Sequence, residues 1–146
     1  MLFKLVIDKN CREEVTATVH ERTPVIDEIE RLVLQDNLTD QIAIYKDDEI
    51  TLANYSEIEC FVVENEKTFA VYRTGEKYLV RKRLYELEES LPGNYEKISK
   101  SAIANLKRVK RFKVQLSGAV DAVFESGYVE CISRRCFAEL RRRYGL

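Results

Sequence analysis

The first third of the chain alternates apolar and polar residues, then changes to a helical pattern. Residues 1–8 and 14–19 have the period-two alternation and β-branched content of two strands. Thr23 and Pro24 then fit the N-cap and first position of a helix, where the missing N–H of proline costs nothing. The apolar stripe of this helix, which runs to about Gln35, consists of Val25, Ile26, Ile29, Leu32 and Val33.

From residue 41 onward, short apolar runs are separated by polar turns, which predicts antiparallel hairpins. A short helix is indicated by Leu84, Leu87 and Leu91, and a last helix begins after Ser133 as N-cap, with Phe137, Leu140 and Tyr144 on its buried side. The predicted strands are 41–45, 50–52, 58–63, 68–72, 78–80, 95–98, 102–105, 108–116 and 119–131, with a turn near residues 126–127 in the last. The pattern predicts a mostly β fold with short helices, of the α+β class, in which the early strands form a meander.

Composition fits one folded domain with a small extension and excludes several classes of protein. The chain has 146 residues, of which 45% are hydrophobic and 34% charged, and its apolar runs are too short to span a membrane. Its first residues look like a strand and not a secretory signal, so we expect a cytoplasmic protein. The four cysteines, Cys11, Cys60, Cys131 and Cys136, are expected to be free thiols in that compartment.

Catalytic and metal-binding signatures are missing from the sequence. With His20 as the single histidine and no Cys-x-x-Cys pair, we expect no metal site. The sequence has no nucleophile elbow, phosphate-binding glycine loop or paired carboxylate motif. We therefore expect a protein that is not an enzyme and has no cofactor and no small-molecule substrate.

The charges are segregated along the chain although the net charge is only −1. Residues 1–66 carry six basic and sixteen acidic side chains, whereas residues 97–146 carry twelve basic and four acidic ones. A basic C-terminal third is typical of a surface for a polyanion, and the alternative is a solvated face balanced by the acidic half in the folded protein.

The start of the last helix carries the wrong charge for its position. Arg134 and Arg135 lie in the first turn, where the helix dipole is positive, at a cost of a few tenths to about 1 kcal/mol each. A bound phosphate would relieve that cost, because helix N-termini and guanidinium groups both bind phosphate oxygens. Residues 141–143, three arginines at the negative end of the helix, are interpreted as a stabilising solvated cluster.

The segment Tyr95–Asn105 resembles the signature of the LytTR family of DNA-binding domains. The resemblance lies in its order of an aromatic, a basic residue, an aliphatic, polar or basic residues with serine, and a final aliphatic-x-Asn. Residues 58–69 and 84–91 resemble the family's central strand pair and short helix, and residues 132–135 its last motif. The similarity covers roughly residues 40–146, which suggests an N-terminal β-strand and helix extension, 1–40, and a LytTR-type domain, 41–146.

Membership in this family implies elongated antiparallel sheets whose loops, and not a recognition helix, contact double-stranded DNA. Three contact points carry over: the turn at Lys67 and Thr68, where the family has a His, the basic stretch around Lys100, and Arg135 with Arg134 beside it. Arg135 would read guanine in the major groove, and Lys100 would contact phosphate or guanine. The expected DNA-binding residues are Lys67, Thr68, Lys97, Ser99, Lys100, Ser101, Arg134 and Arg135.

Other polar residues of this region have two interpretations. The hydroxyl of Ser101 either binds phosphate or makes a local hydrogen bond at the strand end. The cations Lys107, Arg108, Lys110 and Arg111 either have a general phosphate-facing or merely solvated role or make specific contacts; we expect the first, in which they tune affinity and not specificity.

The resemblance also implies partners. Family members bind paired promoter half-sites, so we expect a homodimer at least on DNA. Residues 1–40 either dock on the rest of the chain or provide the dimer surface. Stand-alone members are often encoded beside a small membrane protein that modulates them, so the resemblance implies such a partner here. The alternative function is a protein-interaction module that keeps the fold but has lost DNA binding.

Overall fold

The computed structural model describes residues 1–11, 14–38, 41–91 and 93–146, without the side chains of 34–38. The chain divides into two compact units, Met1–Leu38 and Thr39–Leu146. We call them the N-terminal unit and the C-terminal unit and describe each by itself.

The N-terminal unit contains one helix, α1 (Pro24–Leu38), which begins at the proline as the sequence predicts. The two strands predicted at 1–8 and 14–19 are wrong: the described residues of both segments have no regular secondary structure. The alternation is there, but a strand exists only with a hydrogen-bonded neighbour, and an isolated two-stranded hairpin is marginal in water.

The C-terminal unit contains ten strands and two helices within the described residues. The strands are β1 (Gln41–Lys46), β2 (Glu49–Asn54), β3 (Ile58–Glu64), β4 (Lys67–Tyr72), β5 (Lys77–Val80), β6 (Tyr95–Ser99), β7 (Ala102–Asn105), β8 (Val109–Val114), β9 (Val120–Phe124) and β10 (Val129–Ile132). The helices are α2 (Leu84–Ser90) and α3 (Arg134–Tyr144). The mostly β fold is thereby confirmed, and the long last strand is the hairpin β9–β10.

All strand pairs are antiparallel, and they form two sheets. The larger sheet has the order β2-β1-β5-β4-β3-β7-β6, and the smaller one the order β10-β9-β8. The predicted meander is right for β3, β4 and β5 only. The β1–β2 hairpin joins the far side of β5, where Tyr45 lies opposite Leu79, and β3 takes β7 as its second neighbour.

The seven-stranded sheet has a core on each of its faces. On one face Phe61 and Tyr95 pack with Leu87 of α2. On the other face Val62 and Ile98 pack with Phe124 of β9 and with Leu140 of α3. The sheet therefore lies between α2 on one side and the three-stranded sheet with α3 on the other. Both ends of β6 lie beside α3.

A buried carboxylate connects the two sheets. Glu59 is fully buried at a β-bulge in β3, where the pairing register with β4 shifts. Its oxygens accept hydrogen bonds from the Ser126 N–H (3.0 Å) and from the Ser126 hydroxyl. The bulge turns this side chain toward the β9–β10 turn, which satisfies a charge that would otherwise be costly to bury.

The asparagine that ends the family signature is a structural residue. Asn105 is 1% exposed, and its side-chain N–H₂ donates to the Ile58 carbonyl (3.1 Å). Its side-chain oxygen accepts from the Asn94 amide (2.7 Å) and from the Lys107 N–H (3.1 Å). Asn105 thus ties β3, the segment before β6 and the turn after β7 together.

Helix α3 follows the sequence pattern at its start and departs from it at its end. The Ser133 hydroxyl accepts from the Cys136 N–H (3.2 Å), so the predicted N-cap is confirmed. Leu140 is buried, but Tyr144 is 52% exposed, and its hydroxyl donates to Glu96 (3.2 Å). At the end of the helix this tyrosine therefore lies at the surface, and its hydroxyl is held by the Glu96 carboxylate.

Candidate nucleic-acid interface

Two backbone hydrogen bonds bring the predicted contact points to one edge of the C-terminal unit. The Val63 N–H, near the end of β3, donates to the Ser101 carbonyl in the β6–β7 turn (2.8 Å). The Ser133 N–H, directly before α3, donates to the Ile98 carbonyl at the other side of that turn (2.8 Å). The β6–β7 turn therefore lies between the end of β3 and the start of α3.

The β6–β7 turn presents Lys100 to solvent. Ser99 and Ser101 flank it, and the Ser99 hydroxyl oxygen accepts from the Ser101 N–H (3.2 Å) and lies 3.4 Å from the Ser101 hydroxyl oxygen. These local bonds hold the turn closed. They leave the Lys100 ammonium exposed, with no ion pair or hydrogen bond to the described residues.

The start of α3 presents two guanidinium groups. Arg134 and Arg135 are exposed, and neither forms an ion pair or a side-chain hydrogen bond within the described part of the chain. The arginines at the other end of α3 differ, because Arg143 forms a bidentate pair with Glu96 (2.8 and 3.0 Å) and Arg142 pairs with Glu139 (3.1 Å). The Glu96 carboxylate raises the pKa of Arg143 by accepting these bonds.

The β3–β4 turn is tight and carries an unpaired carboxylate that the sequence reasoning missed. Asn65 (φ 50°) and Glu66 (φ 63°) both have left-handed backbones, as the central residues of a type I′ hairpin turn require. Glu64 beside them is neutralised by an ion pair with Lys77. Glu66 is exposed and has no such partner among the described residues. The Glu-Asn-Glu-Lys sequence was the available signal, since Asn favours such turns.

Two of the expected contact residues are placed differently from the rest. Thr68 is 7% exposed, between Val63 and Val80 of the neighbouring strands, so its side chain is not at the surface. Lys97 pairs with Glu88 of α2 (3.8 Å) and therefore points to the α2 face of the sheet, whereas Arg134 and Arg135 belong to the α3 side. Lys67 is exposed beside the β3–β4 turn, opposite Glu64.

The cations that follow β7 divide into one structural residue and several free ones. Arg108 donates through Nε to the Ser56 carbonyl (2.8 Å) and pairs with Glu125 (3.2 Å), so it is held in the fold. Lys107, Lys110, Arg111 and Lys113 are exposed and have no side-chain partner in the described residues. A shallow cavity of about 460 Å³ lies along β8 and β9 beside the last three of these cations.

The described residues show neither a metal site nor a spanning helix. No group of three or more His, Cys, Asp or Glu among them could hold a metal ion. In the same residues, no helix has the length and apolarity needed to cross a membrane. Burial raises the pKa of the Cys60 thiol, which keeps this cysteine protonated and unreactive at neutral pH.

Comparison with known proteins assigns the C-terminal unit to a family. The model of the LytTr DNA-binding domain family matches residues 48–145. The solved LytTr DNA-binding domain of a Bacillus cereus protein, described as a methyl-accepting/DNA response regulator, aligns with a TM-score of 0.67 and 16% identity. It covers 73% of this chain, and the match spans 98% of that domain.

Curated relatives come from Staphylococcus aureus. Uncharacterized HTH-type transcriptional regulators of strains NCTC 8325 and bovine RF122 are each 29% identical to this chain over 102 residues, 70% of this chain and 69% of theirs. Although these relatives are described as HTH-type, no two helices are consecutive in the described residues of this chain, so these contain no helix-turn-helix. The family model matches residues 48–145, which is more than half of the sequence: the chain belongs to the LytTr DNA-binding domain family.

Proposed function

We propose that this protein is a transcriptional regulator that binds double-stranded DNA in a sequence-specific manner. The observation that carries the proposal is the shared edge formed by the β3–β4 turn, the β6–β7 turn and the start of α3, with free cations on all three. Family membership and the description of the Staphylococcus relatives support the same function.

Each element has a distinct role in the proposed complex. The exposed N–H groups at the start of α3 and the guanidinium of Arg134 bind a backbone phosphate, which also relieves the repulsion between helix dipole and arginine. Arg135 donates two parallel hydrogen bonds to a guanine edge in the major groove. Lys100 and Lys67 contact phosphates on either side, and Ser99 and Ser101 provide hydroxyl donors.

Not all of the expected residues contact DNA directly in this arrangement. We leave the buried side chain of Thr68 out of the contact surface, and Lys97 contributes long-range potential because it is engaged with Glu88. The proposed complex contains two copies of the chain on paired half-sites, since symmetric dimers and symmetric sites match.

Replacing Arg135 by Ala should weaken binding to the preferred duplex about 10- to 100-fold, because one bidentate base contact contributes about 1–3 kcal/mol. Lys100→Ala should weaken binding less and nearly equally for all sequences, as expected for a phosphate contact. The preferred duplex is first selected from a random library with the wild-type protein, and affinities are then measured by fluorescence anisotropy.

The matched control is Arg142→Ala, which removes an arginine of the same helix that is already paired with Glu139. Its affinity should stay within about twofold of wild type, as for an exposed pair of small energy. Failure of the wild-type protein to enrich any sequence would favour the alternative of a protein-interaction module. If Arg135→Ala binds the duplex as tightly as the wild-type protein does, α3 is not part of the DNA interface.

Glu66→Gln should raise DNA affinity about two- to fivefold, because it removes an unpaired negative charge that would face phosphates at the tip of the β3–β4 turn. The amide keeps the size of the side chain, so the turn is unchanged. Glu89→Gln on α2, an exposed glutamate on the other face of the sheet, is the control and should have no effect. Equal affinities for Glu66→Gln and wild type would mean that this turn does not approach DNA.

A further inference from the structure

The β8–β9 hairpin presents two apolar side chains to water. Val114, the last residue of β8, is 65% exposed, and Leu116 in the turn after it is completely exposed. Single exposed apolar residues are common on protein surfaces, so exposure alone says nothing about function. The position of this pair is what matters, because the hairpin tip is closed by hydrogen bonds and lies beside the candidate nucleic-acid interface.

The turn that carries Leu116 is tightly closed. The Gln115 N–H donates to the Ala119 carbonyl (2.8 Å), and the Gly118 N–H donates to the Gln115 carbonyl (2.9 Å). Gly118 has a left-handed backbone (φ 86°), as the last residue of a three-residue hairpin loop requires. The Gln115 side chain also donates to Asp121 of β9 (2.6 Å). Leu116 is therefore held out by an ordered tip, which loses little conformational freedom when it binds a partner.

The pairing register places this tip at the same end of the small sheet as the start of α3. Val114 lies opposite Val120 of β9, and Val120 lies opposite Ile132 of β10. Ile132 is followed directly by Ser133, the N-cap of α3, so the helix begins at the end of this row of paired residues. β8 and β10 are two strand spacings apart, which sets a lateral distance of roughly 10 Å between the tip and the helix start.

Val114 lies on the α3 side of the small sheet. Two positions before it, Phe112 packs against Phe137 of α3, with ring centroids 5.8 Å apart. Residues two apart in a strand share one face, so Val114 continues this face toward the end where α3 begins. Arg134 precedes Phe137 by nearly one helical turn and lies toward the same end. Val114 is therefore next to the first turn of α3, and Leu116 follows at the tip.

The charges around the tip favour a polyanion as the partner. Residues 109–119 include three cations, Lys110, Arg111 and Lys113, and no Asp or Glu. The first carboxylate after the turn, Asp121, already accepts a hydrogen bond from the Gln115 amide. The centre of a protein–protein interface is usually depleted of charged residues, whereas a nucleic acid requires cations around the contact. The apolar tip is thus continuous with the candidate interface and fits DNA.

We propose that the β8–β9 tip reads thymine, because Leu116, with Val114 beside it, contacts thymine methyl groups in the major groove. The inference rests on the proposed DNA-binding function and adds an apolar contact that depends on sequence. The major groove is about 12 Å wide and admits a two-stranded hairpin, and the C5-methyl group of thymine is its apolar feature. With base pairs stacked about 3.4 Å apart, a lateral distance of roughly 10 Å places this thymine about three base pairs from the guanine that Arg135 contacts.

The test compares the selected duplex with copies in which deoxyuridine replaces one thymine at a time, which removes a methyl group and leaves base pairing unchanged. For the wild-type protein, one replacement about three base pairs from the guanine should weaken binding about fourfold, as expected for the burial of one methyl group. Leu116→Ser should weaken binding to the thymine duplex by a similar factor and should bind both duplexes equally. Because the methyl contact involves no charge, the wild-type ratio between the duplexes should be the same at about 50 and about 200 mM salt.

Leu52→Ser is the matched control, because Leu52 is an exposed leucine (67%) on β2, at the opposite edge of the seven-stranded sheet from β6. This variant should keep the wild-type preference for thymine, and thermal unfolding of Leu116→Ser should match that of the wild-type protein. If Leu116→Ser keeps the fourfold preference, or if no single replacement changes wild-type affinity, the tip does not read thymine, while DNA binding itself stands. A wild-type protein that enriches no duplex would instead contradict the proposed function, and this inference with it.

Discussion

Raising the salt concentration from 50 to 200 mM should weaken DNA binding by about 10³- to 10⁵-fold, as expected when roughly six to ten phosphates are neutralised. The structure gives the number of cations that are free to neutralise phosphates. Within residues 97–146, seven exposed cations have neither a carboxylate nor a hydrogen-bond partner for their side chain, and Lys67 beside the β3–β4 turn is the eighth counted here: Lys67, Lys100, Lys107, Lys110, Arg111, Lys113, Arg134 and Arg135. If all of them contact phosphate or displace counterions, the slope of log K against log salt is about −7.

The measurement is a series of anisotropy titrations on the selected duplex at increasing salt. Lys113→Ala should reduce the slope by about one, since it removes one phosphate contact. Arg143→Ala should leave the slope unchanged, because this arginine is paired with Glu96 before DNA arrives. A nearly flat response of the wild-type protein would contradict DNA binding itself.

Asn105→Ala should destabilise the C-terminal unit by about 3 kcal/mol, because three hydrogen bonds of a buried side chain are lost and their partners are left unsatisfied. For a unit of this size the melting temperature should fall by roughly 10 to 20 °C. The measurement is urea or thermal unfolding followed by circular dichroism.

Asn94→Ala is the matched control, since it removes only the bond to Asn105 from a partly exposed position. This substitution should lower the free energy of unfolding by about 1 kcal/mol. If the free energy of unfolding falls no further in Asn105→Ala than in Asn94→Ala, the hydrogen bonds to Ile58 and Lys107 contribute little to stability. At low temperature the folded fraction of Asn105→Ala should still bind DNA, because Asn105 is not at the interface.

Much of the local structure could be predicted from sequence, because it depends on neighbouring residues. The Ser133 N-cap, the proline at the start of α1 and the β9–β10 turn follow from helix and turn chemistry. The family signature added the expectation of antiparallel sheets and marked its final asparagine, but it did not give that residue a role. The structure shows that Asn105 connects three backbone segments.

What the sequence could not predict depends on residues far apart in the chain. Lys97 and Arg143 look like free cations of a basic segment, yet Glu88 and Glu96 neutralise them, and Glu96 is 47 positions from its arginine. Thr68 looks like a surface hydroxyl, yet neighbouring strands enclose it on both sides. The segments expected as strands at 1–8 and 14–19 have no regular secondary structure in the described residues, because alternation along the chain does not by itself supply a neighbouring strand.

The edge that carries Lys100, Arg134 and Arg135 is joined at its surface by main-chain hydrogen bonds, from Val63 to Ser101 and from Ser133 to Ile98. Main-chain bonds are the same for almost every amino acid. Side chains on the two turns and in the first turn of α3 can therefore be exchanged without loosening the joints that position them. Such a layout lets DNA preference diverge during evolution while the scaffold stays constant, and it makes the same few positions the natural targets for redesigning specificity.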